Sequence, residues 1–553
     1  MRFTRYLAAA ALVGAVAGCN DLGVEVENKN NPDRPRVLAT AADVEGLAAA
    51  QFQQVLAGTI GNSLTRVQLG MLVMAFENAT ALANNGMSAR GSIPRQPIDN
   101  TRGNAYAAEN FSTFQTLSTV GRNTADVLAR ANAADFKLSG GEGDLNRLKA
   151  WTHFISGVSH GYLSLTYDSA AIARASDEPL YIPPLEGYQA VNAFALAELD
   201  SALVYLAKPG TTALPAGWLT GPTGATVTPA RFTQIVRSFQ ARLRAGVART
   251  PAERAAVDWD KVIADATAGI TSDLVVAMDR NKSWDYQWLH TSYHYRDANW
   301  HQMGYNIIGM ADVSGAFDTW LSQPRAAKVP FLIITPDKRF PQGATRALQN
   351  DDRGGQKAPT EGKYFRNRAA GLDPAGMGWE QSQYDHYRFR AFADAGGVAD
   401  HPIFTRAEND MLAAEGYIRK GNFAAAAALI DRTRTANGLP ALSGAITAAD
   451  QAVPGGSQCV PRIPVGPNFT STACGTIMEA MKWEKRLEMA YTAFGGWYFD
   501  SRGWGDLPEG TAVQWPVPVQ ELDARRVPLY NLGGIGKDGG AGPSTYGYGT
   551  GDR

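Results

Sequence analysis

The sequence has few cysteines, almost no excess of either charge, and no long apolar run beyond its first twenty residues. Its 553 residues include 3 cysteines, and 52 basic residues nearly balance 53 acidic ones, for a formal net charge of −1. Nucleic-acid binding needs clustered Lys and Arg, so this balance argues against it. A transmembrane helix needs about 20 consecutive apolar residues, and no segment after the N-terminus meets that requirement. Neither a nucleic-acid partner nor a transmembrane body is therefore expected.

The first residues have the three zones of a secretory signal. Arg2 and Arg5 are basic, residues 6–16 are apolar, and small residues precede Cys19. The apolar stretch is too short to span a bilayer but suits a signal peptide. With Val16, Ala17 and Gly18 before the cysteine, the pattern resembles a bacterial lipobox. It predicts a signal peptide over 1–18 and lipidation of the Cys19 sulfur, with an ordinary secretory signal and an accidental cysteine as the alternative.

The residues after the predicted anchor suit a tether, and the rest suits a folded body. Residues 20–35 are polar and contain prolines, so we expect a lipidated tether over 19–40 that lets the body stand off the membrane. A hydrophobic content of 45% supports a substantial buried core. Glycine (57) and aromatic residues (21 Phe, 20 Tyr, 12 Trp) are abundant, which indicates long irregular loops with aromatic side chains.

Two cysteines remain once Cys19 is lipidated. Cys459 and Cys474 bracket a loop rich in Pro, Gly and Ser. In a chain that leaves the cytoplasm such a pair predicts a disulfide bond. Metal ligation by only two cysteines, with no histidine nearby, is the weaker alternative.

The spacing of apolar residues divides the body into three regions. Residues 41–278 are predicted to form helix pairs, residues 279–400 to be loop-rich with a small sheet, and residues 401–553 to return to helix. Thr228 followed by Pro229 is a typical helix start. We expect the glycine-rich tail from Gly533 to be mobile. The predicted helices are 42–56, 64–83, 107–133, 144–167, 188–206, a helix from 228, 259–270, 404–419, 423–436 and 476–494.

Two C-terminal stretches resemble the SusD/RagB family of outer-membrane nutrient-binding lipoproteins. The family shows an R-x-A-E helix, a G-N turn and an I-N-x-V-R-x-R helix before G-L-P, and later E-R-R-x-E-L, R-W-F-D-L-R-R-W-G and a closing I-P-x-x-E-L. The corresponding residues here are Arg406-Ala407-Glu408, Gly421-Asn422, Ile430-Asp431-Arg432-Thr433-Arg434, Gly438-Leu439-Pro440, Glu484-Lys485-Arg486-Leu487-Glu488-Met489, Trp497-Tyr498-Phe499-Asp500-Ser501-Arg502-Gly503-Trp504-Gly505 and Trp515-Pro516-Val517-Pro518 with Glu521-Leu522.

The match is that of a divergent member. Phe494 stands where the family has Glu, Trp497 where Arg is usual, and Ser501 and Gly503 where Leu and Arg are usual. The helix that ends at Tyr167 lies where the family has an E-A-R-x-L-R-A helix. The motifs cover about a quarter of the chain, and the lipobox and helix order add to them.

The resemblance implies a mainly α fold with tetratricopeptide-like helix pairs and minor β structure. It implies a non-catalytic protein without a cofactor, anchored in the outer membrane on its extracellular side. Such a protein captures glycans, or in some members peptides, and delivers them to a TonB-dependent outer-membrane transporter of the SusC type. The alternatives are a peptide binder of the same family and, less favoured, a secreted helical glycoside hydrolase with two carboxylates in a cleft.

The most conspicuous candidate site is a run of aromatic residues between 284 and 305, which we call the aromatic segment. Sugar C–H faces pack on aromatic rings, and sugar hydroxyls need polar partners. The segment interleaves both types, which predicts glycan contact, although each ring could instead pack inward. The predicted ligand-binding residues here are Trp284, Tyr286, Trp288, Tyr293, Tyr295, Arg296, Asn299, Trp300 and Tyr305.

A second candidate lies after an early helix, around Asn84, Asn85 and Arg90. Amide and guanidinium groups could bind hydroxyls in bidentate fashion. Ordinary capping and turn chemistry is the alternative.

Three other patterns are judged structural. His290, His294 and His301 are spaced for a metal site, but the intervening residues do not indicate a helix, so no metal is expected. The glycines around Ser159 match G-x-S-x-G, yet a nucleophile elbow needs a strand before the serine and this motif lies in a predicted helix. The charges at Glu484, Arg486, Glu488, Asp500 and Arg502 are interpreted as ion pairs of the scaffold, not as catalytic carboxylates.

Overall fold

The computed structural model describes residues 37–61, 66–79, 86–178, 181–290, 302–352, 363–373 and 381–549. Helices dominate, as the sequence predicts, and the prediction of a mainly α fold is confirmed. The helices are α1 (Ala41–Ala49), α2 (Gln51–Thr59), α3 (Val67–Met74), α4 (Met87–Gly91), α5 (Ala107–Ala131), α6 (Gly141–Thr166), α7 (Tyr188–Leu206), α8 (Pro229–Gly246), α9 (Pro251–Ala255), α10 (Trp259–Thr267), α11 (Gln287–His290), α12 (Tyr305–Ile308), α13 (Ala316–Ser322), α14 (Arg346–Asp351), α15 (Arg390–Asp394), α16 (Arg406–Arg419), α17 (Phe423–Arg434), α18 (Ile477–Met489), α19 (Gly496–Trp504) and α20 (Val519–Arg525).

The β structure consists of small antiparallel sheets. Strands β3 and β7 form one pair, β4, β6 and β5 form a three-stranded sheet in that order, and β1–β2 and β8–β9 form two further pairs. The three-stranded sheet lies within residues 279–400, where the sequence predicts minor β structure. The strands are β1 (Ser169–Ala171), β2 (Leu185–Gly187), β3 (Leu274–Asp279), β4 (Gln302–Gly304), β5 (Phe365–Asn367), β6 (Gln381–His386), β7 (Val398–Phe404), β8 (Arg462–Val465) and β9 (Ser471–Cys474).

Helix α6 is the centre of the N-terminal half. Trp151 is fully buried, and its indole N–H donates to the carbonyl of Ala48, which ties α6 to α1. On the same helix, a Cβ added to Gly157 would lie 2.7 Å from Cγ of Leu199 on α7. A Cβ on Gly161 would lie 2.4 Å from Cδ1 of Leu243 on α8. These glycines therefore let two neighbouring helices approach α6 closely.

The same helix contains the G-x-S-x-G match. Ser159 is fully buried within α6, and its hydroxyl donates to the carbonyl of Ser156 at 3.1 Å. A nucleophile elbow would present the serine at a sharp turn. The motif is a helix-packing motif, as the sequence analysis concludes.

We expect Gly157→Ala to lower the free energy of unfolding by about 1–3 kcal/mol. The new methyl group would overlap Leu199 and come within 2.9 Å of the carbonyl oxygen of Ala195, so the backbone of α7 must shift. Gly46→Ala in α1 is the matched control. A Cβ there meets no atom within 4 Å, so only the helix propensity changes, which stabilises by up to about 1 kcal/mol. Urea unfolding of both variants measures the difference, and equal effects would contradict the packing role.

Helix starts follow their sequence signals closely. The Thr228 side chain accepts from the backbone N–H of Arg231 and Pro229 is the first residue of α8, as predicted. Thr405 caps α16 in the same way by accepting from Glu408 N–H. Side-chain caps of this type satisfy an otherwise unpaired N–H.

Two predicted helices end earlier than expected. The helix predicted over 64–83 is α3, which ends at Met74, and the helix predicted to reach Phe494 is α18, which ends at Met489. Phe76 (φ 59°) and Tyr491 (φ 58°) lie just beyond these ends in the left-handed region. A non-glycine residue there ends a right-handed helix at an energetic cost.

The C-terminal tail is packed, and the prediction that it is mobile is wrong. Tyr546 and Tyr548 are buried, and their hydroxyls donate to Glu479 and to the carbonyl of Asn306. Backbone bonds tie the tail to the chain near Gly510, which donates to Ala541 at 2.8 Å. The glycines here serve tight turns and not flexibility.

Cys459 and Cys474 are joined by a disulfide bond with a Cα–Cα distance of 5.7 Å. The bond closes the hairpin of β8 and β9, and the predicted pairing is confirmed. In the described part of the chain, no helix combines the length and apolar character needed to cross a bilayer.

Several charged residues of the C-terminal motifs are buried in an ion-pair cluster around Arg254. Arg254 on α9 is fully buried and donates to Glu415 on α16 and to Asp500 on α19. Burial alone would raise the pKa of Glu415, but the charge of Arg254 outweighs it and the pKa falls to about 2. Lys485 on α18 also contacts Asp500 at 2.7 Å. The motif charges therefore join four helices, which is the scaffold role that the sequence analysis assigns to them.

Candidate functional site

The described residues next to the two predicted ligand-binding stretches are bonded to each other. The backbone N–H of Ala79 donates to the carbonyl of Gln302 at 2.8 Å. Residue 80 follows Ala79 and residue 301 precedes Gln302, so one flanking residue of segment 80–85 is bonded to one flanking residue of segment 291–301. Asn84 and Asn85 belong to the first segment, which is far from the second in sequence.

Gly61, the described residue before segment 62–65, lies against the aromatic segment. A Cβ added to Gly61 would lie 2.9 Å from the carbonyl oxygen of Asp285, and segment 62–65 follows Gly61. Burial raises the pKa of the Asp285 carboxyl to about 6, and the charge of Arg280 opposes this rise.

Several predicted site residues lie outside the described residues, so the structure does not test their roles. They are Asn84, Asn85, Tyr293, Tyr295, Arg296, Asn299 and Trp300, together with the proposed lipidation site Cys19 and the histidines His294 and His301.

Four predicted ligand rings lie in the core. Trp284 is 6% exposed, Trp288 is 2% exposed, and Tyr286 and Tyr305 are fully buried. The structure thus corrects the ligand-contact prediction for these four positions, because a ligand cannot reach a ring whose faces are covered by protein. Inward packing of each ring is the alternative that the sequence leaves open.

The partners of these rings explain their burial. Trp284 packs against Phe52 of α2, with ring centroids 6.4 Å apart, and Tyr286 meets His401 edge to face at 5.2 Å. Tyr305 stacks on Phe331 at 4.1 Å and donates its hydroxyl to the Phe331 carbonyl. Both ends of the aromatic segment are therefore anchored in the hydrophobic core.

Arg90 is also buried, with 6% of its surface exposed. One guanidinium nitrogen lies 3.4 Å from the Asn110 Oδ1, and the Arg90 carbonyl accepts from Arg95. The structure does not present this guanidinium to a ligand, so the prediction for Arg90 is corrected as well.

Buried ionisable groups lie between the residues that precede segment 80–85 and the aromatic segment. Burial raises the pKa of Glu77 to about 8, although its carboxylate accepts the backbone N–H of Tyr491 at 2.8 Å. The Tyr491 hydroxyl in turn donates to the Glu77 carbonyl and to the Asn78 side chain. Burial, together with the charge of Glu77, raises the pKa of Tyr286. Glu77 therefore links the start of segment 80–85 to the aromatic segment.

Backbone strain is concentrated around this region. Phe76, Ser283 and Tyr491 all have φ between 58° and 61°. Phe76 and Ser283 flank Glu77 and Trp284, and Tyr491 binds Glu77. Left-handed conformations in bulky residues persist only where surrounding contacts hold them, and such residues cluster at functional sites. The sequence carries no signal for them.

A groove lies on a different face, between α10, α16 and α17. Its volume is about 340 Å³, and none of the predicted site residues lines it. Asp410 accepts two bonds from Arg432, at 2.8 and 2.9 Å, and lies 3.5 Å from Arg406. Tyr417 forms part of the floor. Arg406 belongs to the first family-like motif, which signals the helix pair but not a cavity.

The described residues do not assemble a metal centre. Within the ranges that the structure covers, no three His, Cys, Asp or Glu side chains converge as metal ligands. The acidic pair Glu484 and Glu488 binds Arg339 in the core, at 2.8 and 3.1 Å. Carboxylates that neutralise a buried arginine do not have the open cleft that glycoside hydrolysis needs.

Comparison with known proteins places the structure among SusD-like folds. The sequence matches no protein-family model and no curated protein. The structure is similar to a SusD-like protein from Bacteroides fragilis, with a TM-score of 0.54 and 12% identity over 90% of this chain and 97% of that one. It is also similar to a laminarin-binding SusD-like protein (TM-score 0.48, 13% identity, 90% and 99% coverage). A SusD-like carbohydrate-binding protein from Bacteroides vulgatus gives a TM-score of 0.47 and 12% identity, with 92% and 94% coverage. At these identities the likeness concerns the fold, and the chain has the SusD-like fold that its C-terminal motifs predict.

Proposed function

We propose that this protein is a cell-surface lipoprotein that binds oligosaccharides or polysaccharides without cleaving them. It hands them to a TonB-dependent outer-membrane transporter. The single observation that supports the binding site is the bond between Ala79 and Gln302, the described residues that adjoin the two predicted ligand segments. The SusD-like fold and the lipobox-like sequence before Cys19 support the surface role.

The chemistry of the two segments suits a sugar ligand. Tyr293, Tyr295 and Trp300 provide rings for the C–H faces of pyranose units. Arg296 and Asn299 from the same segment, with Asn84 and Asn85 from the other, provide donors and acceptors for hydroxyl groups. Tyr286 and Tyr305, on either side of these residues in sequence, are buried in the core.

The membrane role rests on the N-terminus. A lipid on Cys19 would hold the body at the outer membrane, and residues 20–40 would serve as the tether. The proposal places the body on the extracellular side, where polymeric glycans are accessible. A transporter partner is required because a binding protein that does not cleave its ligand must pass it on.

The double variant Tyr295→Ala/Trp300→Ala is expected to weaken polysaccharide binding at least tenfold. It removes two rings that would each contribute about 0.5–1.5 kcal/mol beyond area burial. Affinity electrophoresis in gels that contain candidate polysaccharides, after a glycan array has identified a binder, measures the effect. Tyr181→Ala is the matched control, because this ring is 52% exposed and lies outside both segments.

The outcomes separate the alternatives. Unchanged glycan affinity in the double variant would reject the aromatic segment as the site. If the protein binds peptides and no glycan, the proposed glycan ligand is wrong and the ligand is a peptide. Release of new reducing ends from a bound polysaccharide would reject the non-enzymatic proposal, since a hydrolase creates one with each cleavage.

A further inference from the structure

Glu109 is a buried carboxyl group without a hydrogen-bond partner. It lies in the first turn of α5 and is 3% exposed. Neither of its carboxyl oxygens has a hydrogen-bond partner among the residues that the structure describes. Leaving a buried polar group unsatisfied costs about 1–3 kcal/mol, and more for a charge. Such a group calls for an explanation.

Two glycines leave the space that this carboxyl occupies. A Cβ added to Gly70 of α3 would lie 2.8 Å from Oε1, and one added to Gly86 would lie 2.4 Å from Oε2. Gly86 has φ 71° and is the residue from which α4 begins. Any charge on Glu109 would therefore lie directly against the start of α4.

Arg90 is a positively charged side chain close to Glu109, but the two side chains form no hydrogen bond with each other. Its Cγ lies 3.3 Å from the Cβ position of Gly70, the same position that Oε1 of Glu109 approaches. Its guanidinium reaches Asn110 only at 3.4 Å, and its Nε has no hydrogen-bond partner within the described ranges. The Arg90 side chain and the Glu109 carboxyl group therefore both lie against Gly70. Each has buried polar atoms without a hydrogen-bond partner among the described residues.

The other charged groups around this pair come from several elements. Tyr167 at the end of α6 interacts electrostatically with Glu109, and Arg66, before α3, interacts with Tyr167. Arg95 donates to the Arg90 carbonyl, and the positive charge of Arg90 interacts electrostatically with the Tyr498 hydroxyl on α19. Helix α3 itself contributes no charged residue.

Burial raises the pKa of Glu109 to about 7, and the charge of Arg90 opposes the rise. A carboxyl group is ordinarily fully ionised well below neutrality. Here the neutral and ionised forms coexist near neutral pH, which is where a change of charge can alter the fold locally.

We propose that Glu109 and Arg90 form a proton-controlled latch on α4. While Glu109 is protonated, it lies uncharged between Gly70 and Gly86 and α4 is closed over it. When Glu109 loses its proton, the unsolvated charge displaces α4 and draws the Arg90 guanidinium from Asn110 to the carboxylate. The latch acts on the helix that follows segment 80–85, although it does not depend on the proposed glycan binding.

Hydrogen exchange of the full mature chain, followed by mass spectrometry over residues 86–92, tests the latch. After correction for the intrinsic pH dependence of exchange, opening should follow the ionised fraction of Glu109. That fraction rises about tenfold between pH 6 and pH 8 for a group that titrates near 7. We expect exchange in this peptide to rise about tenfold, while peptides from α6 change little.

Three variants make the test specific. Glu109→Gln keeps the shape but cannot ionise, so the pH-dependent rise should disappear. Arg90→Gln removes the opposing charge, so the rise should move to higher pH. Glu142→Gln alters an exposed carboxyl in the first turn of α6 and should behave as the unmodified protein.

The proposal is overturned if exchange over residues 86–92 does not depend on pH in the unmodified protein. It is equally overturned if Glu109→Gln keeps the rise, or if Arg90→Gln leaves its midpoint in place. An equal loss of the rise in Glu142→Gln would assign the effect to general charge and not to the latch.

Discussion

Arg339→Met is expected to lower the free energy of unfolding by about 3–5 kcal/mol. Arg339 is fully buried and donates to Asp337, Glu484 and Glu488, at 2.7, 2.8 and 3.1 Å. Removing the guanidinium takes an ion-pair partner from three buried carboxyl groups, of which Glu488 keeps a contact with Arg388 at 3.5 Å. Because two of them lie on α18, the loss would loosen the helix that carries the second family-like motif.

Chemical denaturation at pH 7 measures this loss, and Arg346→Met is its control. Arg346 pairs with Asp373 at 2.8 Å, but both side chains are more than 20% exposed. A partly exposed pair contributes at most about 1 kcal/mol. If both substitutions cost the same, the cluster around Arg339 would not be the structural centre that its geometry indicates. Adding Glu484→Gln to Arg339→Met should recover part of the loss, since one uncompensated charge is removed.

Glu77→Gln is expected to stabilise the protein at alkaline pH. Burial raises the pKa of Glu77 from an ordinary value near 4.5 to about 8. Between these values the folded state holds a proton that the unfolded state has released, so the free energy of unfolding falls as pH rises from about 4.5 to about 8. Glutamine does not titrate. The variant should match the unmodified protein within about 1 kcal/mol at pH 5 and exceed it by about 4 kcal/mol at pH 8.

Unfolding curves at pH 5, 6, 7 and 8 test this expectation. The quantity to compare is the difference between variant and unmodified protein, because Glu109 contributes a decline of the same sign up to about pH 7. Glu142→Gln, at an exposed position, should show no pH-dependent difference. A Glu77→Gln curve parallel to that of the unmodified protein would mean that Glu77 is ionised in the folded state.

The sequence predicts those features that depend on local pattern. Helix α7 has the predicted bounds 188–206, and Thr228 caps α8 because a side-chain oxygen and a following proline act within a few residues. The disulfide between Cys459 and Cys474 follows from the compartment and an even count. Each of these depends on neighbours in sequence, which a single chain displays directly.

Features set by distant contacts were not predictable. The early end of α3 depends on Phe76, whose left-handed conformation is next to Glu77, and Glu77 binds Tyr491 from the other end of the chain. No periodicity encodes that bond. The tail was predicted to be mobile because its glycines resemble those of a linker, whereas Tyr546 and Tyr548 bury their rings.

The candidate site shows the same division. The count of aromatic residues between 284 and 305 identifies an unusual segment but not the direction of each ring. Tyr286 and Tyr305 are as aromatic as Tyr295, yet the first two meet His401 and Phe331 in the core. The amino-acid composition marks this segment as unusual, and only the packing shows which of its described rings lie in the core.

Under the proposed function, the junction of Ala79 and Gln302 has a consequence for how ligand specificity evolves. The described residues Ala79 and Gln302, which adjoin the segments 80–85 and 291–301, are held together by the backbone bond between them. A chimera that receives both segments from a relative with a different nutrient should acquire the donor's preference, whereas a chimera with one segment should recognise neither polymer well. Selection would then act on the two segments as one unit of inheritance, despite their separation in the gene.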